Sequence, residues 1–384
     1  MSQNKKHFET SLIHFGSEID SQTGAASVPI FAATTFHHKS IEESQKYDYS
    51  RSGNPTREAL EQYIAVLEGG TDGFAFASGM AAISTTFLLF SAGDHIIVTD
   101  DVYGGTYRFL TAIINRFNVE VTFVDMTDFD KVTAALQPNT KAIFMESPSN
   151  PTLQITDIKK LAVWAKENDL ISIIDNTFMT PLYQRPLELG IDIVLHSATK
   201  FLGGHSDVLA GLAVTKDAKL AKQLKFLQNG FGAVLNAHES WMLMRGMKTL
   251  QARMVQSEQS ARKLAEYLQQ HPKVIRVYYP GLADHPGREI HESQSSGYGA
   301  VVSFEVDGGE RAIQMLNRVK IPLVAVSLGA VESILSYPAR MSHAAMTREE
   351  RYARGITDGL VRYSVGLEHI EDIIADLDTA LAEL

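Results

Sequence analysis

The run Ser197, Ala198, Thr199, Lys200, Phe201, Leu202, Gly203, Gly204, His205 directly follows an apolar strand pattern that ends at His196. A lysine in a tight loop at a strand end can condense its amine with a carbonyl and, once freed, carry protons. Ser197 and Thr199 put two hydroxyls on one side of that loop, suited to a phosphate, while Gly203 and Gly204 let the backbone turn and approach closely. An amine and a phosphate cradle in one loop point to pyridoxal 5′-phosphate, carried on Lys200 as a Schiff base. The bland alternative is a solvent-facing lysine after a strand.

Four other segments bear on that choice. Asp175 closes the apolar run Leu170–Ile174, at the carboxyl edge where open α/β sheets bind ligands. A carboxylate beside a pyridine nitrogen keeps it protonated and electron-withdrawing, although an aspartate at a strand end serves equally well as a helix cap. Ser78, Gly79 and Met80 lie between a strand and a helix pattern, so their N–H groups form an anion site for the phosphate. Tyr103, in the run Val102–Thr106, again follows a short strand; its ring can stack on a pyridine and its hydroxyl act as acid or base, or it is a turn tyrosine. Arg362 sits among apolar residues in Leu360–Glu368. Its planar fork suits a substrate α-carboxylate, with an ion pair to Glu368 or Asp358 as the structural alternative. The 13 histidines show no paired ligand spacing on a helix, so no metal is expected.

A sheet must hold these groups. Gly73–Ala77, Ile96–Thr99, Val119–Val124, Lys141–Met145, Leu170–Ile174 and Ile193–His196 are short, mostly β-branched runs, separated for the most part by helix-length segments. Apolar strands alternating with helices predict an α/β fold with a mainly parallel sheet covered on both faces, placed at residues 55–240. Asn54 and Pro55 make a helix start, followed by Leu60, Tyr63, Ile64 and Leu67 on one face. Further on, Glu239–Gln270 has a helical period, Val274–Tyr279, Ala300–Val306 and Leu323–Ser327 read as strands, and Glu371–Leu384 closes the chain as a helix. Residues 241–384 therefore form a smaller α+β domain. Residues 1–54 show no period and read as an arm.

At 384 residues the chain exceeds the comfortable size of a single core, in agreement with two domains. A net charge of −10 without a Lys/Arg cluster argues against nucleic acid. The absence of cysteine removes disulfides, thiolate metal sites and a cysteine nucleophile, and fits a reducing cytoplasm. Met1–Asp20 lacks the apolar core of a secretory signal. Phe74–Ala92 is uncharged over a bilayer's length, but Gly79 divides it into a strand and a helix pattern, which makes it buried core and not a membrane span.

Taken together these segments resemble the Cys/Met-metabolism family of pyridoxal-phosphate enzymes over essentially the whole chain. The likeness rests on Tyr49–Arg51 with Asn54–Thr56, Ser78–Met80, Asp101–Thr106, Glu146–Pro151, Asp175–Thr177, the Lys200 run, Ser327–Gly329 and the Arg362 run. It implies the aspartate-aminotransferase fold, type I, with a seven-stranded sheet in the large domain, and a homotetramer of two tight dimers whose active sites are shared. It further implies that Tyr49 and Arg51 reach a neighbour's cofactor phosphate, that Asn150 and Thr177 lie at the cofactor, and that Ser327 joins Arg362 at the substrate carboxylate. Methionine γ-lyases usually have a cysteine where this chain has Gly105, and cystathionine γ-lyases and γ-synthases an acid where it has Val326. Ala330, Ser342 and Tyr363 are further departures. With Ser336–His343, the pattern looks most like cystathionine β-lyases of Gram-positive bacteria. The implied reaction is β-elimination from an amino-acid thioether in methionine biosynthesis; γ-elimination or γ-replacement is the alternative, and a non-catalytic regulatory protein on the same fold a remote one.

Overall fold

The computed structural model describes residues 6–14, 20 and 22–384; part of the Met1–Asp20 stretch weighed above as a leader lies outside them. The large sheet is built from β1 (Asp72–Phe76), β2 (His95–Thr99), β3 (Glu120–Val124), β4 (Thr140–Glu146), β5 (Ile171–Asp175), β6 (Ile193–Ser197) and β7 (Gly211–Thr215). Their spatial order is β1-β7-β6-β5-β4-β2-β3. All pairings from β6 to β3 are parallel, while β7 runs antiparallel to both β6 and β1. Six of these strands match runs read from the sequence. The seventh, β7, is a short Gly-Leu-Ala-Val-Thr run that the glycine-rich loop before it conceals.

Both faces of the sheet are covered, as all-apolar parallel strands require. Ile97, Ile143, Ile174 and Val194 bury against one helical layer, and Val98, Phe144, Ile173 and Leu195 against the other. The uncharged Phe74–Ala92 run divides at Gly79 as its pattern predicts: β1 is followed by a helix over Gly79–Phe87. Among the described residues no helix is long and apolar enough to cross a membrane. Asn54 caps the Pro55–Glu68 helix, its side chain accepting the Thr56 and Arg57 N–H groups at 3.0 and 3.3 Å.

A second sheet comprises β8 (Val274–Tyr278), β9 (Val301–Val306), β10 (Leu323–Val324), β11 (Ile334–Ser336) and β12 (Leu360–Ser364), in the order β10-β11-β12-β9-β8. Three expectations change here. The strand read as Leu323–Ser327 is only two residues long, because the backbone leaves extended geometry and Ser327 takes φ +93°. The period over Glu239–Gln270 belongs to two helices, Ala237–Met247 and Leu250–Gln270. Their junction is used by Arg253, whose guanidinium donates to the carbonyls of Gly246 (2.9 Å) and Phe201 (2.7 Å) and so ties the break to the Lys200 loop. The arm also contains a helix, Phe8–His14, whose Leu12 is buried and accepts the Tyr63 hydroxyl.

Candidate active site

The carboxyl ends of β2, β4, β5 and β6 open into a cleft of about 360 Å³, closed on the far side by the segment around Ser327 and by Arg362 of β12. Lys200 emerges three residues after β6 and is not a solvent lysine: its Nζ donates to Ser327 Oγ at 2.7 Å. Burial, then the positive charge of Arg362, push its amine down to about 8, with Asp175 acting in the opposite sense. The loop is held tightly. At Gly204, φ is +74° and an added Cβ would meet the Arg253 guanidinium at 2.1 Å, so a side chain is excluded on both grounds.

Asp175 lines the cleft and caps no helix. Its Oδ1 accepts the Thr177 N–H at 3.0 Å and the Thr177 hydroxyl, which leaves the carboxylate aimed and partly satisfied. Burial raises its pKa; the Thr177 donors and the charges of His196 and Lys200 oppose that rise. Thr177 Oγ1 in turn accepts the Ser197 N–H at 2.8 Å and links the ends of β5 and β6.

At the helix Gly79–Phe87, Ser78 caps by accepting the Ala81 N–H at 3.0 Å, so the N–H groups of Gly79 and Met80 stand ahead of the first intrahelical bonds. An added Cβ on Gly79 would lie 2.7 Å from Ser197 Oγ, which brings that helix start and that hydroxyl into one cradle. Thr199 faces the same cleft, but its hydroxyl is engaged with the Ala210 backbone, donating at 3.2 Å and accepting at 3.0 Å. Tyr103 is the N-cap residue of the helix Gly104–Ala112, 38 % exposed and lining the cleft; it is a turn tyrosine and a cleft residue at once.

Arg362 is buried, and its guanidinium donates to Asn150 Oδ1 at 2.8 Å and to the Ser327 carbonyl at 2.7 Å. Neither carboxylate alternative holds. Glu368 is taken by Ser333, and Asp358 by Arg348 and Arg351. A buried cation without a carboxylate of its own, its Nε unpartnered, is an open receptor for one from a ligand. Ser327 holds both Lys200 and Arg362 from a backbone conformation that a non-glycine residue rarely adopts, strain of the kind that collects at working sites.

Tyr49 and Arg51 lie elsewhere. They line a separate hollow with Phe31, Arg57 and Leu235, and Arg51 sits 5.4 Å above the Tyr49 ring. The sequence reading assigned no role to Glu146, which also lines the cleft; the strand-end rule that selected Asp175 applies equally to it. Among the described residues no group of His, Asp or Glu could hold a metal ion.

The donor set fits pyridoxal 5′-phosphate: an N-terminal helix turn beside a hydroxyl for the phosphate, a braced carboxylate for the ring nitrogen, and a lysine amine for the aldehyde. Fold and cleft together are those of a pyridoxal-phosphate enzyme of fold type I. The family model for the Cys/Met metabolism PLP-dependent enzymes matches residues 9–382, and the chain belongs to that family. It is 62% identical over 384 residues to cystathionine beta-lyase MetC of Bacillus subtilis (strain 168), covering 100% of this chain and 98% of that one. It is 50% identical to cystathionine gamma-lyase of the same organism, over 98% and 99% of the two chains. The crystal structure of cystathionine gamma-lyase from Lactobacillus plantarum complexed with L-serine superposes with TM-score 0.96 at 51% identity, covering 98% of this chain and 99% of that one.

Proposed function

We propose that the chain is a carbon–sulfur lyase that takes L-cystathionine and water to homocysteine, pyruvate and ammonia. The observation that carries this reading is the Lys200 amine, 2.7 Å from Ser327 Oγ and beside a buried Arg362 that has no carboxylate of its own. The 62% identity to a cystathionine beta-lyase supports the choice of reaction. So does Val326, 64% exposed at the cleft, which offers no carboxylate for a distal ammonium.

Gly79, Met80, Ser197 and Thr199 would hold the phosphate of pyridoxal 5′-phosphate, Tyr103 and Asn150 would lie beside its ring, and Asp175, braced by Thr177, would keep its negative charge toward the ring nitrogen. Pyridoxal 5′-phosphate supplies the electron sink that makes the proton on the substrate Cα removable. Arg362 and Ser327 bind and orient the α-carboxylate. Lys200, as a free neutral amine, takes the Cα proton, and the thiolate departs from Cβ; Lys200 and Tyr103 assist the proton transfers. An amine whose pKa lies near 8 is neutral in a useful fraction of molecules at physiological pH.

The chain works in the cytoplasm as a homotetramer, a dimer of dimers, in which Tyr49 and Arg51 hold the phosphate of a neighbouring copy's cofactor. The exposed placement of both residues, away from their own cleft, supports this. Residues 1–54 form the arm, 55–240 the large domain and 241–384 the small one. The test is product analysis with cystathionine: homocysteine and pyruvate are expected, whereas cysteine and 2-oxobutyrate would make it a γ-lyase.

A further inference from the structure

Glu146 ends β4 directly opposite Asp175 in the parallel ladder with β5. Residues paired in register project from the same face of a sheet, with strands about 4.8 Å apart. Two carboxyl groups therefore share the floor of the cleft, and both line it. Their surroundings differ. Asp175 has two donors from Thr177 and feels the positive charge of Lys200. Glu146 is 5% exposed, and its Oε1 accepts one hydrogen bond, from the Tyr103 N–H at 3.0 Å. The charged groups acting on it, Asp175 from β5 and Asp101 from the segment after β2, are both negative.

We propose that Glu146 is a positioning residue that works as a neutral carboxylic acid, fixing the Tyr103 backbone and leaving Asp175 as the one negative charge of the pair. Two carboxylates this close in a buried site cannot both ionise without a large penalty, and the one with fewer donors keeps the proton. The helix Gly104–Ala112 opposes this, because its N-terminal end favours an anion. That contribution reaches Glu146 through the single Tyr103 bond, against burial and two like charges, and its pKa is raised well above the ordinary carboxyl range. The anchor matters because Tyr103 has little freedom. The ring lies close over Gly105, where an added Cβ would be 2.4 Å from it, so a shift of the Tyr103 backbone moves the ring with it.

The role of Asp175 at the ring nitrogen is taken from the reading above, whereas the state of Glu146 is not, so the two fail separately. Infrared spectroscopy of the cofactor-loaded enzyme at pH 7 should show a protonated-carboxyl C=O band that shifts in D2O and is missing from Glu146→Gln. Absence of that band in the unmutated enzyme, or its survival in Glu146→Gln, overturns the proposal. Kinetics supply a second readout. Glu146→Gln keeps a neutral acceptor and should lose about threefold in kcat/KM, against about a hundredfold for Glu146→Ala, the scale of a misplaced catalytic group. A Glu146→Gln loss of about a hundredfold or more would show that a charge is required there, and would sink the idea whether or not the alanine variant folds.

Discussion

The Lys200 cleft and the Tyr49–Arg51 hollow are both rich in polar side chains, yet they are finished to different degrees. In the cleft each working group is already engaged by its own chain: Lys200 by Ser327, Arg362 by Asn150 and Ser327, Asp175 by Thr177. In the hollow, Tyr49 is 42% exposed and Arg51 is held by a 3.3 Å bond to Asn229 and by its stacking over Tyr49. A preorganised site needs no reorganisation when its ligand arrives. The exposed arginine and tyrosine are held by fewer contacts of their own chain, which is the contrast that the proposed role at a neighbouring copy's cofactor rests on.

If this contrast is right, substitutions in the cleft act on chemistry and substitutions on the arm act on cofactor retention. The deepest loss is expected for Asp175→Asn, about a thousandfold in kcat, the scale of one preorganised electrostatic contact; steady-state kinetics at saturating cofactor check it, and a loss recovered by added cofactor would move Asp175 to a binding role. Arg362→Lys keeps the charge but not the fork. It should lower kcat/KM about a hundredfold, mainly through KM, as for a truncated charge-assisted pair worth about 2–3 kcal/mol. The smallest effect is expected on the arm, where Tyr49→Phe or Arg51→Ala should weaken pyridoxal-phosphate binding about tenfold, one charge-assisted bond; equilibrium dialysis measures it. An arm variant that binds the cofactor normally would erase the contrast.

Six of the seven large-sheet strands are legible because they are short, mostly apolar runs between helix-length segments, and the groups that follow them, Asp175, Tyr103 and Lys200, come together in one cleft as the strand-end rule requires. The five-stranded sheet is less legible. β11 is three residues long and β12 carries Arg362 at its centre, so neither shows a clean alternation; Arg362 is held there by Asn150 and the Ser327 carbonyl, contacts far away in sequence. The helix pair Ala237–Met247 and Leu250–Gln270 keeps one period across its break, and Arg253 ties that break to the distant Lys200 loop. Long-range contacts of that kind leave no local trace. Glu146 stands just past its apolar run as Asp175 does, so the strand-end rule reaches both; the sequence places it only within the Glu146–Pro151 segment, with no role attached.

Borohydride reduction of the cofactor-loaded enzyme, followed by digestion and mass spectrometry, tests the centre of the account. A single pyridoxyl adduct on the peptide carrying Lys200, absent from Lys200→Ala, is the expected result. An adduct on another lysine, or none at all, would contradict it.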